Sequence, residues 1–229
     1  METLPETGAE YTVKVTILKD RLTLTVDTSG SGLHKRGYRV KTVAAPIKET
    51  LAAAMVQLSF WNKDRVLLDP CCGSGTIAIE AAMIGRNIAP GLSRSFACEE
   101  WEAIDKKLWK EEKKLAYDLM DDDAKLDIVA IDIDKMAIEA AKENAIEAGV
   151  DDCIRFINAD MARIKASKPS GIIITNPPYG ERIGEQKQIA AIYSKYKKFF
   201  AENPSWSMFM VTTDKDIEGK VFGRKADRR

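Results

Sequence analysis

From Arg65 onward the chain alternates short apolar runs with amphipathic stretches, and this rhythm constrains the fold more than any other feature. VLLD (66–69), IVAID (128–132), IRFINA (154–159), GIIIT (171–175) and SMFMVTT (207–213) read as strands. TIAIEAAMIG (76–85), MAIEAAKENAIEAGV (136–150) and QIAAIYSKYKKFFAE (188–202) read as helices. Strands that are apolar throughout, separated by helices, predict a mainly parallel sheet with helices on both faces. With 229 residues, 45% of them hydrophobic, the chain can bury one sizeable core. Open sheets of this class bind ligands beyond the carboxyl ends of their strands. The residues that follow each apolar run are therefore the ones to inspect.

The flanks are less regular. YTVKVTILKDRLTLTVDT (11–28) alternates apolar and polar residues around Lys19-Asp20 and predicts a β-hairpin. A lone hairpin is marginal in water, so it is expected to pack on something or to be the remnant of a larger domain. SGSGLHKRGYR (29–39) is a basic, glycine-rich loop, and Pro46 is placed in the first turn of a helix through PIKETLAAAMVQLSFW. This divides the chain into a hairpin-and-loop part, 1–43, and an α/β domain, 44–229. Residues 91–127 form an insertion with a charged helix, WEAIDKKLWKEEKKLAYDLM, expected to dock Trp101 and Trp109 from similar faces.

Lysine plus arginine equal aspartate plus glutamate at 35 each, so net charge gives no argument for a nucleic-acid partner. Arg36, Arg39 and the 220–229 tail can contact phosphates, or can equally be solvated charges. Cys71, Cys72, Cys98 and Cys153 form no CxxC pair and have no neighbouring histidine. They read as reduced thiols in a cytosolic protein, with no metal site. The single histidine, His34, reads as a surface loop residue. No apolar run is long enough for a membrane span, and METLPETGAE has no signal-peptide pattern.

DPCCGSGT (69–76) joins the first strand of the α/β pattern to its helix. Gly73 and Gly75 permit a tight turn and close ligand approach, and a helix N-terminus with unpaired N–H groups follows. The third glycine of a dinucleotide fingerprint is absent, and so is the GK[ST] of a P-loop. Asp132 closes the second strand, where a carboxylate can accept from ribose hydroxyls, and Asp134 reads as a helix cap. Asp160 follows the third strand and can accept from an adenine amino group. Asn-Pro-Pro-Tyr (176–179) follows GIIIT. Each proline forces the residue before it into extended backbone and has no N–H to donate. The Asn176 side-chain oxygen and the Pro177 carbonyl can then bind both hydrogens of an exocyclic NH₂ and stabilise charge arriving on its nitrogen. Tyr179 can stack on a planar substrate.

The glycine loop resembles motif I of class I S-adenosylmethionine-dependent methyltransferases. DPCCGSGTIAIEAAMIGRNIAPGL with TNPPYGERIGE resembles a narrower family, the bacterial THUMP-domain-associated methyltransferases. GLHKRGYR, APIKETLAAAMV and KADRR match that family's flanking segments, so the resemblance covers about residues 11–229. It implies a Rossmann-like fold and cofactor roles for Pro46, Thr50, Asp69, Cys72, Gly73, Gly75, Asp132 and Asp160. It implies catalytic roles for Asn176, Pro177, Pro178 and Tyr179, and S-adenosylhomocysteine as by-product. Family members carry an N-terminal RNA-holding region and two further C-terminal strands, so the chain is expected to be part of a longer protein. The function implied is guanine-N2 methylation of structured RNA, ribosomal RNA foremost, in the cytoplasm. Asn-Pro-Pro-Tyr serves adenine N6 in DNA and glutamine amides of proteins equally well, and a noncatalytic RNA-binding relative is the alternative of a different class.

Overall fold

The computed structural model describes residues 8–43, 46–178 and 186–227. Its centre is a five-stranded, fully parallel sheet. Two strands precede that sheet in the chain, β1 (Thr12–Leu18) and β2 (Arg21–Asp27). The sheet itself comprises β3 (Leu67–Asp69), β4 (Ile128–Asp132), β5 (Ile154–Asn158), β6 (Ile172–Thr175) and β7 (Ser207–Met210), in the spatial order β5-β4-β3-β6-β7. The order reverses between β3 and β6, which makes the crevice beyond their carboxyl ends the topological switch point. The helices are α1 (Glu49–Leu58), α2 (Thr76–Gly85), α3 (Lys106–Asp118), α4 (Lys135–Glu147), α5 (Gln186–Glu202) and α6 (Ile217–Phe222).

Side chains alternate across each strand, so the sheet has two cores. Leu67, Ile128, Ala130, Ile172 and Ile174 face α1, α2 and α4, where Ala52, Val56, Ile77, Ala78, Ala81 and Ala145 approach closely. Leu68, Val129, Ile131 and Ile173 face α5 and α6 through Tyr193, Tyr196, Ile217 and Val221, with Trp206 between. The alanine-rich stripes of α2 and α4 let backbones approach. Gly75 touches this packing directly, because a Cβ there would lie 2.9 Å from the Cβ of Ala141.

The strands and helices read from hydrophobic alternation are present, with ends shifted by up to three residues. The flanks needed correction. Pro46 is not in the first turn: α1 starts at Glu49 with Lys48 as its cap, and Pro46 lies exposed ahead of it. Trp101 is not on the charged helix. Asp105 caps α3 by accepting from the Lys107 N–H at 2.8 Å, so the helix begins beyond Trp101. Trp101 instead stacks on Tyr11, with ring centroids 4.8 Å apart, and donates to the Glu10 carbonyl. Trp109 stacks on Phe96. The two indoles thus pin different segments. A short helix, α6, occupies the stretch after β7, where hydrophobic alternation predicts no element.

The hairpin turns at Lys19 and Asp20, both with positive φ (50° and 58°). That pair of left-handed residues matches the twist of the flanking strands. Its pairing puts Val13, Val15 and Ile17 opposite Val26, Leu24 and Leu22 on one face, while threonines and charged residues fill most of the other. These six aliphatic side chains are all exposed. The loop after it is held to the body by Arg94, which donates to the carbonyls of Ser29, Ser31, Gly32 and Lys35 and lies over the Phe96 ring. No helix among the described residues is long and apolar enough to cross a membrane.

Candidate functional site

The parallel sheet brings the ends of β3, β4, β5 and β6 to one edge. Asp69 ends β3, Asp132 ends β4, Asp160 follows β5 by two residues, and Asn176 and Pro177 follow β6 directly. Residues spread over more than a hundred positions in sequence therefore share one side of the molecule.

The glycine loop is the best-defined part. Gly73 and Gly75 have φ of 53° and 83°, a region that residues with a Cβ rarely adopt. The Cys72 N–H donates to the Ile131 carbonyl at 2.9 Å, and the Gly73 N–H donates to Asp132 Oδ2 at 2.9 Å. The loop is thus moored to the end of β4. Gly75 caps α2, and no side chain caps that helix. First-turn N–H groups of a helix need partners from elsewhere, and a helix start of this kind favours a polar or anionic group beside it. The glycine cradle and the uncapped helix fit the methionine and ribose parts of S-adenosylmethionine.

Asp132 is half-buried. Its other oxygen, Oδ1, accepts from the Asp134 N–H, and Asp134 in turn caps α4 by accepting from Met136. Asp160 Oδ1 accepts from the Ala162 N–H at 2.8 Å and from Lys195 Nζ at 2.6 Å. Those bonds hold its carboxyl below the usual value. A ligand amino group at Asp160 would therefore meet a carboxylate already anchored to α5. Cys72 is buried, and Pro46 and Thr50 are exposed at the start of α1.

Asp69 is 1% exposed. Burial raises its carboxyl to about 7, although the Cys71 N–H that it accepts at 3.3 Å pulls the other way. The Thr175 hydroxyl lies beside Asp69 and Tyr196, fully buried and without a hydrogen bond of ordinary geometry. Cys71 Sγ is 3.9 Å from the Tyr196 hydroxyl, and burial with the nearby Asp69 pushes its thiol up to about 12. A compact set of buried polar groups thus lies at the switch point, at the carboxyl ends of the paired strands β3 and β6. Asn176 is half-buried, Pro177 buried and Pro178 exposed. Tyr179 lies outside the described residues.

Two arginines depart from their expected roles. Arg36 donates to Glu80, which is 2% exposed, and Tyr38 donates to the same carboxylate at 3.0 Å. Arg39 donates to Glu49 at 2.6 Å and also to Ser74, Thr76 and the Ile47 carbonyl. Neither is a solvated charge nor turned outward to a phosphate. In the tail, Lys220 pairs with Asp214. Asn144 was missed altogether. It is 0% exposed on α4, among Ala137, Ala141 and Ala145. That position on the apolar stripe was the available signal.

Residues 36–229 match a family model described as RMKL-like, methyltransferase domain. YpsC of Bacillus subtilis (strain 168), named as a candidate RNA methyltransferase, is 48% identical over 226 residues, which is 99% of this chain and 58% of YpsC. Ribosomal RNA large subunit methyltransferase K/L of Shewanella baltica (strain OS155) is 40% identical over 230 residues, 96% of this chain and 32% of that protein. The crystal structure of SMU.472, provisionally described as a methyltransferase and complexed with SAH, superposes with a TM-score of 0.90 at 44% identity. That superposition covers 98% of this chain and 58% of SMU.472. The chain therefore spans little more than half, or only a third, of the relatives it matches.

Proposed function

Since the chain belongs to the RMKL-like methyltransferase-domain family, we propose that it carries the S-adenosylmethionine-dependent step of base methylation in nucleic acid. The reacting atom is an exocyclic amine, foremost guanine N2 of ribosomal RNA. The observation that carries the reading is one juxtaposition. Asn176-Pro177 leaves β6 at the switch point, and the glycine loop leaves the adjacent strand β3. The SAH complex of SMU.472 supports the choice of cofactor, and the names of YpsC and methyltransferase K/L support RNA as the substrate. The same reading places the protein in the cytoplasm, where ribosomal RNA is found.

The cofactor supplies an electrophilic methyl group on a sulfonium. This chain supplies position and electrostatics. Gly73 and Gly75 let the backbone approach, the start of α2 offers N–H donors, and Asp132 and Asp160 offer acceptors. Asn176 Oδ1 and the Pro177 carbonyl accept the two hydrogens of the target amine. They turn its lone pair toward the methyl group and favour the positive charge that develops on nitrogen. The proton can leave after transfer, so no base is required among these residues. The target base must be flipped out or unpaired to reach them.

Labelled S-adenosylmethionine, offered to the full-length protein with unmodified ribosomal RNA, transfer RNA and DNA separately, tests this by the identity of the methylated nucleoside. N2-methylguanine in RNA is expected, and N6-methyladenine in DNA alone would sink the reading. Asn176→Ala is expected to retain SAH binding while transfer falls by about 10²-fold or more, as for loss of a group acting on transition-state charge.

A further inference from the structure

We propose that Asn144 and Arg39 are positioning residues that set the conformation of the cofactor loop from outside it, and so determine cofactor affinity. The inference rests on the cofactor reading above. Ser74 stands between two glycines with positive φ. A backbone flanked in this way has more accessible conformers than any other, so something must select one of them. The contacts of Ser74 identify the selector.

Asn144 Nδ2 donates to the Ser74 carbonyl at 3.1 Å and to the Lys41 carbonyl at 2.9 Å. Its Oδ1 accepts from the N–H groups of Val40 and Lys41, both at 3.0 Å. All four hydrogen-bonding positions of the amide are used, and only one orientation of the amide satisfies them. Arg39 holds Ser74 from the other direction, donating to its hydroxyl at 3.0 Å and to Thr76 Oγ1 at 2.9 Å. The same guanidinium reaches Glu49 and the Ile47 carbonyl at the start of α1. Ser74 and Thr76 are each 2% exposed, so these bonds form in a low dielectric, where an unmet partner is costly. The segment 39–41 and one side chain of α4 therefore clamp the residue on which the loop pivots. Neither Asn144 nor Arg39 is in the loop.

Asn144→Asp is the discriminating change. It keeps the volume and both bonds from Val40 and Lys41, but sets a carboxylate oxygen against two carbonyls and releases Ser74. The readouts are the Kd for SAH by calorimetry and amide exchange at Ser74–Thr76 in the cofactor-free protein. We expect Kd to rise by about 10-fold or more, with faster exchange at those amides, as for loss of one buried hydrogen bond. Val221→Ala, a core truncation on the buried face of α6, is the control. It lowers thermal stability and leaves Kd within twofold. If Asn144→Asp does not fold, Arg39→Lys decides, because one ammonium opposite Glu49 cannot hold Ser74 and Thr76 together. A several-fold rise in Kd is expected there. A folded variant with wild-type Kd and wild-type exchange would overturn the inference while leaving the cofactor reading intact. Absence of SAH binding by the wild type would overturn both.

Discussion

Gly75→Ala offers the sharpest test of the packing between the cofactor loop and α4. The residue has φ of 83°, and an added Cβ would lie 2.9 Å from Ala141 Cβ, 3.3 Å from its Cα and 3.4 Å from Ile79 Cδ1. Two costs follow. The left-handed backbone costs a residue with a Cβ about 1–2 kcal/mol. Forcing a methyl group into a closed contact adds about 1–3 kcal/mol. The stiffer unfolded chain returns about 0.4–1 kcal/mol, leaving a net loss near 2–4 kcal/mol. Gly149→Ala separates the two costs, since Gly149 has φ of 68° but nothing within 4 Å of its Cβ position. It is expected to lose only about 1 kcal/mol. Urea denaturation of both variants gives the difference. Adding Ala141→Gly removes the atom that is struck, at a helix-interior cost of about 1 kcal/mol of its own. The double variant should then be more stable than the two single losses imply, by about 1–2 kcal/mol. Equal losses at Gly75 and Gly149, or additive losses in the double variant, would refute the collision.

Asp69→Asn should change the pH dependence of stability. The folded carboxyl titrates near 7, above its ordinary 3.8, so the folded state holds a proton that the unfolded chain has released. Wild-type stability from this group thus falls as pH rises from about 4 to about 7 and levels off above. The Asn variant should gain on wild type across that range, and a pH-independent difference in urea midpoints would contradict the assignment. Arg94→Ala should open the 29–35 loop to limited proteolysis while leaving the thermal midpoint of the body nearly unchanged, since its bonds go to loop carbonyls. Unchanged cleavage rates would count against it. Cys71, with its thiol at about 12, should react with a disulfide reagent at pH 8 far more slowly than an ordinary thiol, and denaturation should release all four cysteines. Rapid labelling of Cys71 in the native protein, mapped by mass spectrometry, would show the thiol to be less buried than this.

The α/β core was legible because its signals are local. Three to five apolar residues ending at Asp69, Asp132 or Thr175 can hardly be anything but buried strands, and Gly75-Thr76 with Gly85 brackets a helix. The candidate residues at the strand ends were legible for the same reason, since a parallel sheet brings all of them to one edge. What stayed hidden depends on partners far away in sequence. Arg36 and Arg39 look like solvent charges until Glu80 and Glu49 are found beneath them. Asn144 looks like an ordinary helical polar residue, although its spacing from Ala137 and Ala141 put it on the inner stripe. α1 starts past Pro46 because Lys48 is extended, and the Ile47 carbonyl, which a longer helix would use, accepts from Arg39 instead, a tertiary contact absent from the local sequence. The Asp105 cap, by contrast, was a readable local signal for where α3 begins.

The order of the strands also bears on how the chain is made. The central strand β3 is three residues long, and Leu67 pairs with Ile128 on one side and Ile172 on the other. A nascent chain released from its N-terminus onward cannot complete either pairing until long stretches of later sequence have emerged. Loop closure on that scale is entropically costly, and a strand with two unpaired edges attracts wrong partners meanwhile. The cofactor loop that β3 carries is thus synthesised before either partner of its strand and finds its place only after both. Until Ile128 and Ile172 have both emerged, neither edge of β3 has its native partner, and open strand edges invite wrong pairing.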